Sequence, residues 1–167
     1  MDGRTLLTNA IDGVTPASTE ILVIAAPDAT PSIPPRATLI HDPVAFEGPL
    51  AGVAVGLRAA HESIVLVVGG DMPTLVGAVI ESMLVALDVP DVDAVVLEHD
   101  GRARPLPIVL RREPAQAAAD RLLAEGEHRL LGLIGALSAR VIPEATWRGL
   151  DPYAMTVRDI DTPADLG

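Results

Sequence analysis

Three short stretches of the sequence bring together residue types that can handle a charged ligand. Asp71 follows the apolar run 64–68 after Gly69 and Gly70, two residues that let a backbone turn sharply and leave room beside it. A carboxylate at the carboxyl end of a strand suits a hard divalent cation; the same aspartate could instead cap a helix after Pro73. Gly48-Pro49-Leu50-Ala51-Gly52 opens a helix with Pro49 near its first position, and glycines recur one turn apart at 48, 52 and 56. Free amides at that helix start, with Gly48 allowing close approach, could meet a base, ribose or phosphate. Gly52 and Gly56 could equally do no more than let the helix pack tightly on a sheet. Asp159 and Asp161 alternate just before Thr162-Pro163, so an extended chain puts both carboxylates on one face, as ligands or as a helix cap.

These residues need a scaffold, and the hydrophobic pattern supplies one. Leu6, Leu7, Ala10, Ile11 and Val14 recur at helical spacing. The run 21–26 reads as a strand buried on both faces, ended by Pro27-Asp28 and a proline-rich loop; 37–40 reads as a second short strand, 64–68 as the clearest buried strand and 93–97 as another strand. Helices are expected over about 50–61, 75–87, 114–124 and 129–137. His99-Asp100-Gly101-Arg102 between two apolar runs signals an antiparallel excursion over 104–110. Near the end the reading expects a short strand at Val141, a polar segment with Trp147 and a strand over 155–158. Alternating strands and helices indicate one doubly wound, Rossmann-like α/β domain over 1–167, with a mostly parallel sheet and a mixed edge. In such sheets ligands bind beyond the carboxyl ends of the strands, which directs attention to the loops 41–49, 69–73 and 159–163.

Composition removes several classes. The net charge of −11 and the absence of a basic stripe argue against a nucleic-acid partner. All 12 basic residues are arginine, so a mechanism that needs a lysine, such as a Schiff base or a Walker phosphate loop, has no residue to use. Phe46, Trp147 and Tyr153 are too few for a base-stacking platform, and a bound purine would lie against aliphatic side chains and backbone. His41, His61, His99 and His128 lack metal-ligand spacing and read as surface or loop residues. No cysteine is present, no apolar leader follows Met1, and no apolar run approaches the roughly 18 residues that a bilayer requires. The expectation is a cytoplasmic protein with no membrane partner.

Taken in order, His41-Asp42, Gly48-Pro49-Leu50-Ala51-Gly52, the strand 65–68 with Gly70-Asp71-Met72-Pro73, and Asp159-Ile160-Asp161-Thr162-Pro163-Ala164-Asp165-Leu166 resemble the molybdenum cofactor guanylyltransferases. Gly3-Arg4-Thr5-Leu6-Leu7 and Arg104-Pro105-Leu106-Pro107 extend the resemblance to essentially the whole chain. It implies a nucleotide-diphospho-sugar transferase type of fold and transfer of a guanylyl group from GTP to molybdopterin, with Mg²⁺ offsetting the charge between two polyanions. By resemblance Asp71 holds the metal, while Asp42 and the loop Gly48, Pro49, Leu50 and Gly52 contact the nucleotide. Asp159 and Asp161 then lie by the reacting phosphates, and Arg104, Gly126 and Arg129 face the pterin.

The sequence departs from that pattern twice. The family's first strand and its glycine-rich loop with its lysine should precede Met1 and have no counterpart in this sequence, as a truncated or misannotated start would give, or a degenerate protein whose gap is closed by re-pairing or by a partner; their absence would leave an apolar gap between the strands 21–26 and 64–68. Asp159-Ile160-Asp161 stands where guanylyltransferases often carry Asn-x-Asn, a variation found among cytidylyl relatives. The alternatives are therefore a non-catalytic binding or regulatory homologue, with self-association or a partner covering the gap, and a cytidylyl- or sugar-phosphate nucleotidyltransferase of the same fold.

Overall fold

The computed structural model describes residues 5–43 and 48–158. Helix α1 (Leu6–Val14) is capped by the Thr5 hydroxyl, which accepts the Thr8 amide at 3.1 Å. Strands β1 (Leu22–Ala25) and β2 (Thr38–His41) follow, then α2 (Pro49–Ala59), β3 (Ile64–Val67), α3 (Gly77–Leu87) and the hairpin β4 (Ala94–His99) and β5 (Arg102–Arg111). Helices α4 (Arg112–Ala124) and α5 (Leu130–Ala136), strand β6 (Ala139–Ile142) and α6 (Glu144–Trp147) complete the fold. Asp100 and Gly101 join β4 to β5 with φ of 51° and 70°, the left-handed pair that a two-residue hairpin needs.

The strands form two sheets. β1 and β2 pair in parallel, and a four-stranded sheet runs β3-β5-β4-β6. The antiparallel strand β5 lies between β3 and β4, not at an edge as the sequence reading has it. Its apolar end explains the difference: Ile108, Val109 and Leu110 are at most 1% exposed, and a strand that apolar is buried by neighbours on both sides. Because β5 opposes both β3 and β4, those two strands point the same way.

Side chains alternate across this sheet, as a period of two requires. Ala94, Val96, Ile108 and Leu110 pack with α2, α4 and α5, whereas Val95, Leu97 and Val109 pack with α3 and Trp147 on the other face. Trp147, expected in a polar segment, is fully buried and donates its indole N–H to the Glu98 carbonyl at 2.9 Å. The expected strand at 155–158 is instead a 3-10 helix, Met155–Val157. The buried Asp151 carboxylate accepts the Met155 and Thr156 amides at 3.0 and 2.8 Å and winds that turn.

The sheet divides between β1 and β3, where the sequence reading expects an apolar gap. A cavity of about 770 Å³ lies there, lined by residues 19–26 and 62–70 together with parts of α1 and α2. No helix among the described residues is long and apolar enough to cross a membrane.

Candidate functional site

The first side chain of the site is Asp71. The apolar run of β3 stops at Gly69-Gly70, and the Met72 amide closes a turn onto the Gly69 carbonyl at 3.2 Å. Met72 itself is fully buried and its sulfur accepts the Gly69 amide, so the loop is anchored from below while Asp71 stays exposed above it. A Cβ built on Gly69 would lie 2.3 Å from Asp71 Oδ1, so the carboxylate occupies space that any other residue at 69 would take. Asp71 does not cap the following helix. Val76 holds the N-cap position of α3, and its amide bonds the Thr156 hydroxyl at 3.1 Å. The carboxylate is thus left facing solvent as a hard oxygen donor.

Asp42 occupies the matching place one sheet away. β2 ends at His41, and the Asp42 amide continues the pairing by donating to the Ala25 carbonyl at 2.8 Å. Asp42 is half-buried and lines the cavity. Gly48, Pro49 and Gly52 line the same cavity, so one concave surface unites these four sequence-predicted residues with Gly69 and Gly70.

The start of α2 owes its shape to Gly48. This residue sits at φ 90° and ψ 172°, a conformation essentially restricted to glycine, with Pro49 at the first helical position. A Cβ there would lie 3.0 Å from the His128 carbonyl oxygen. That oxygen accepts the Leu50 amide at 3.2 Å. Leu50 therefore offers the site no side chain, being fully buried against Ala54 and Leu57, and no free amide. Its contribution is to seat the helix start.

This contact brings the Glu127-His128-Arg129 segment to the start of α2, a juxtaposition that the sequence reading missed. Glu127 Oε1 accepts the amides of His128 and Arg129 at 3.0 and 2.9 Å and Arg129 Nε at 3.0 Å, while Oε2 accepts Nη2 at 2.8 Å. The Arg129 side-chain bonds, helped by these amides, hold the Glu127 carboxyl down at about 2. The guanidinium remains 79% exposed and reaches outward from this clamp. Gly126, at φ 82°, ends α4 with open space around it. Arg104 lies on β5 near the carboxyl end of β4, on the same edge of the sheet as Gly69. Asp159 and Asp161 lie outside the described residues.

A second group of potential ligands lies elsewhere. His99, Asp100 and Glu144 offer donor atoms within 4.8 Å of one another, although the histidine spacing gave no sign of it. Glu144 Oε1 already accepts from His99 Nδ1 at 3.1 Å and Arg148 Nε at 2.8 Å, and Oε2 accepts the Asp100 amide at 2.8 Å. These bonds, the Asp100 amide foremost, lower the Glu144 carboxyl. An arginine on the carboxylate opposes a dication, and the cluster fastens the β4–β5 turn to α6.

Residues 1–141 match the family model of the MobA-like NTP transferase domain. A probable molybdenum cofactor guanylyltransferase of Chloroflexus aggregans is 32% identical over 98% of this chain and 78% of its own length. One from Mycobacterium avium is 34% identical over 97% of this chain and 79% of its own. Among solved structures, molybdopterin-guanine dinucleotide biosynthesis protein A of Archaeoglobus fulgidus superposes with a TM-score of 0.65 at 26% identity. That match covers 77% of this chain and 64% of the other. The 2-C-methyl-D-erythritol 4-phosphate cytidylyltransferase of Thermus thermophilus superposes with a TM-score of 0.73 at 22% identity, over 98% of this chain and 86% of the other, a likeness of fold.

Proposed function

The chain belongs to the MobA-like NTP transferase family, a family of nucleotidyltransferases, and from that premise we propose that it transfers the guanylyl group of GTP to molybdopterin in the cytoplasm. The observation that carries this reading is the convergence of Asp42, Gly48, Gly52 and the Gly69-Gly70 turn on one concavity, with Asp71 exposed beside it. The strands β1, β2 and β3 all end toward those loops, the position where α/β sheets take their ligands.

Asp71 fits a divalent cation by its chemistry: a carboxylate free of any hydrogen bond or ion pair with the described residues, on a turn fixed by Met72. Mg²⁺ held there would offset the charge between the triphosphate and the acceptor phosphate. Gly48, whose lack of a side chain lets a ligand approach the start of α2, and Asp42 would position the guanosine. Asp159 and Asp161 would lie by the reacting phosphates, and Arg129, with Arg104 and Gly126, would meet the acidic pterin from the other side. With a net charge of −11, the chain relies on such local cations to receive polyanions.

GTP added with Mg²⁺ should shift the amide resonances of Asp42, Gly48, Gly52, Gly70 and Asp71 and leave Trp147 in place. Asp71→Asn should lower guanylyl transfer by about a hundredfold or more with folding unchanged. Equal shifts with CTP would remove the guanine assignment, and full transfer by Asp71→Asn would remove the metal role.

A further inference from the structure

The turn between α4 and α5 is folded around one side chain. The Gly126 and Glu127 amides donate to the Leu123 and Leu122 carbonyls at 3.0 and 2.9 Å and end α4, and the Glu127 carboxylate then folds over the two residues that follow. Its two oxygens have different partners. Oε1 accepts the backbone amides of His128 and Arg129 and the Arg129 Nε, whereas Oε2 accepts only Arg129 Nη2. Gly132 leaves room for this arrangement, since a Cβ there would lie 2.6 Å from Glu127 Cγ. Held down at about 2, the carboxyl is ionised at neutral pH and can only accept.

Each oxygen fixes something different. The Arg129 N–H and the His128 C=O belong to one planar trans peptide and point in opposite directions. By holding that N–H at 2.9 Å, Oε1 aims the carbonyl away from itself, and the carbonyl accepts the Leu50 amide at 3.2 Å. The same carbonyl oxygen closes the space that a Cβ on Gly48 would need. Oε2 acts on the side chain instead. With Nε and Nη2 both bound to Glu127, the Arg129 guanidinium is held in a fixed plane, and its remaining Nη1 has no partner among the described residues. A guanidinium held this way and 79% exposed is ready for an anionic group.

We propose that Glu127 is a positioning residue for both substrates: Oε1, through the peptide between His128 and Arg129, sets the start of α2 for the guanosine, and Oε2 presents Arg129 to the acidic acceptor. Glu127 itself touches neither substrate. The two substrates are named from the guanylyl-transfer reading, on which this assignment rests, whereas the path of bonds from Glu127 to the Leu50 amide stands without it.

Two variants separate the oxygens. Glu127→Ala removes both, while Glu127→Gln keeps one carbonyl oxygen for the backbone amides and sets an amide NH2 against Arg129 Nη2, where two donors cannot bond. In Glu127→Ala the Leu50 amide should exchange about tenfold faster, with the Trp147 indole resonance unmoved as a check on folding. The KM values for GTP and for molybdopterin should both rise about tenfold, with kcat within about twofold. Glu127→Gln should restore the Leu50 exchange rate and the KM for GTP and leave only the KM for molybdopterin raised. Unchanged Leu50 exchange in Glu127→Ala would overturn the proposal, as would a parallel rise of both KM values in Glu127→Gln. Were the unaltered chain to transfer no guanylyl group, the reading that names the substrates would fall, and the Leu50 exchange would still decide the path from Glu127.

Discussion

The interior strands β4 and β5 and the strands β1 and β3 that border the division are of nearly equal apolarity and differ in what surrounds them. In the interior of the four-stranded sheet, Val95 to Leu97 of β4 and Val109 and Leu110 of β5 are wholly buried, because those two strands have neighbours at both edges and helices on both faces. Along the division, Val23 is the one buried residue of β1, and Ile64, the first residue of β3 at the edge of the four-stranded sheet, is 43% exposed. Ile64 is as apolar as Ile108, which is 1% exposed. Burial here is a property of the neighbours and not of the side chain.

The strongest way to break this contrast is to truncate one side chain in the interior of the sheet and one at its open edge. Leu110→Ala should cost about 2–5 kcal/mol, because the surrounding helices can collapse only partly onto the void. Ile64→Ala, at the open edge, should cost under about 1 kcal/mol. Urea unfolding of the two variants reads the difference directly. Equal losses would mean that β3 is covered in solution.

A smaller effect sharpens the picture beside the division, where α2 begins. Gly48→Ala puts a Cβ 3.0 Å from the His128 oxygen in a backbone conformation that side chains avoid. The expected loss is about 1–3 kcal/mol. The same variant should weaken GTP binding by more than its loss of stability explains, since the helix start would move out of the cavity wall. A titration of GTP at a temperature where both proteins stay folded separates the two effects.

Much of the fold was legible before the structure. The turn at Asp100-Gly101, the start of α2 at Pro49 and the strands 21–26 and 64–68 each carry a local signal, a turn pair, a fixed φ or a run of branched apolar residues. The grouping of Asp42, Gly48 and Gly52 on one surface followed from the rule that loops after parallel strands converge. Long-range contacts were not legible. Nothing local tells that His128 braces Gly48, that Glu144 reaches His99 across the β4–β5 turn, or that Trp147 fills the second core. The expected strand at 155–158 failed for the same reason, because the carboxylate that winds it into a turn sits at Asp151, outside the run of residues being read.

The gentlest probe of the boundary is proton binding at Glu127. Its carboxyl is depressed to about 2, against an ordinary value of 4.5, first by the Arg129 side-chain bonds and then by the amides of Arg129 and His128. A carboxylate whose folded value lies below its unfolded value adds stability that is complete above 4.5 and disappears as pH falls through about 2. The clamp, and with it the His128 carbonyl that holds the Leu50 amide, should stay closed at pH 4, and the Glu127 carboxyl resonance should titrate near 2. A midpoint near 4.5 would show the clamp open in solution. Gly132→Ala offers a control by geometry, since its Cβ would lie 2.6 Å from Glu127 Cγ and push the side chain off Arg129. That variant should raise the Glu127 midpoint while leaving the Glu144 carboxyl, fastened to the β4–β5 turn, where it was.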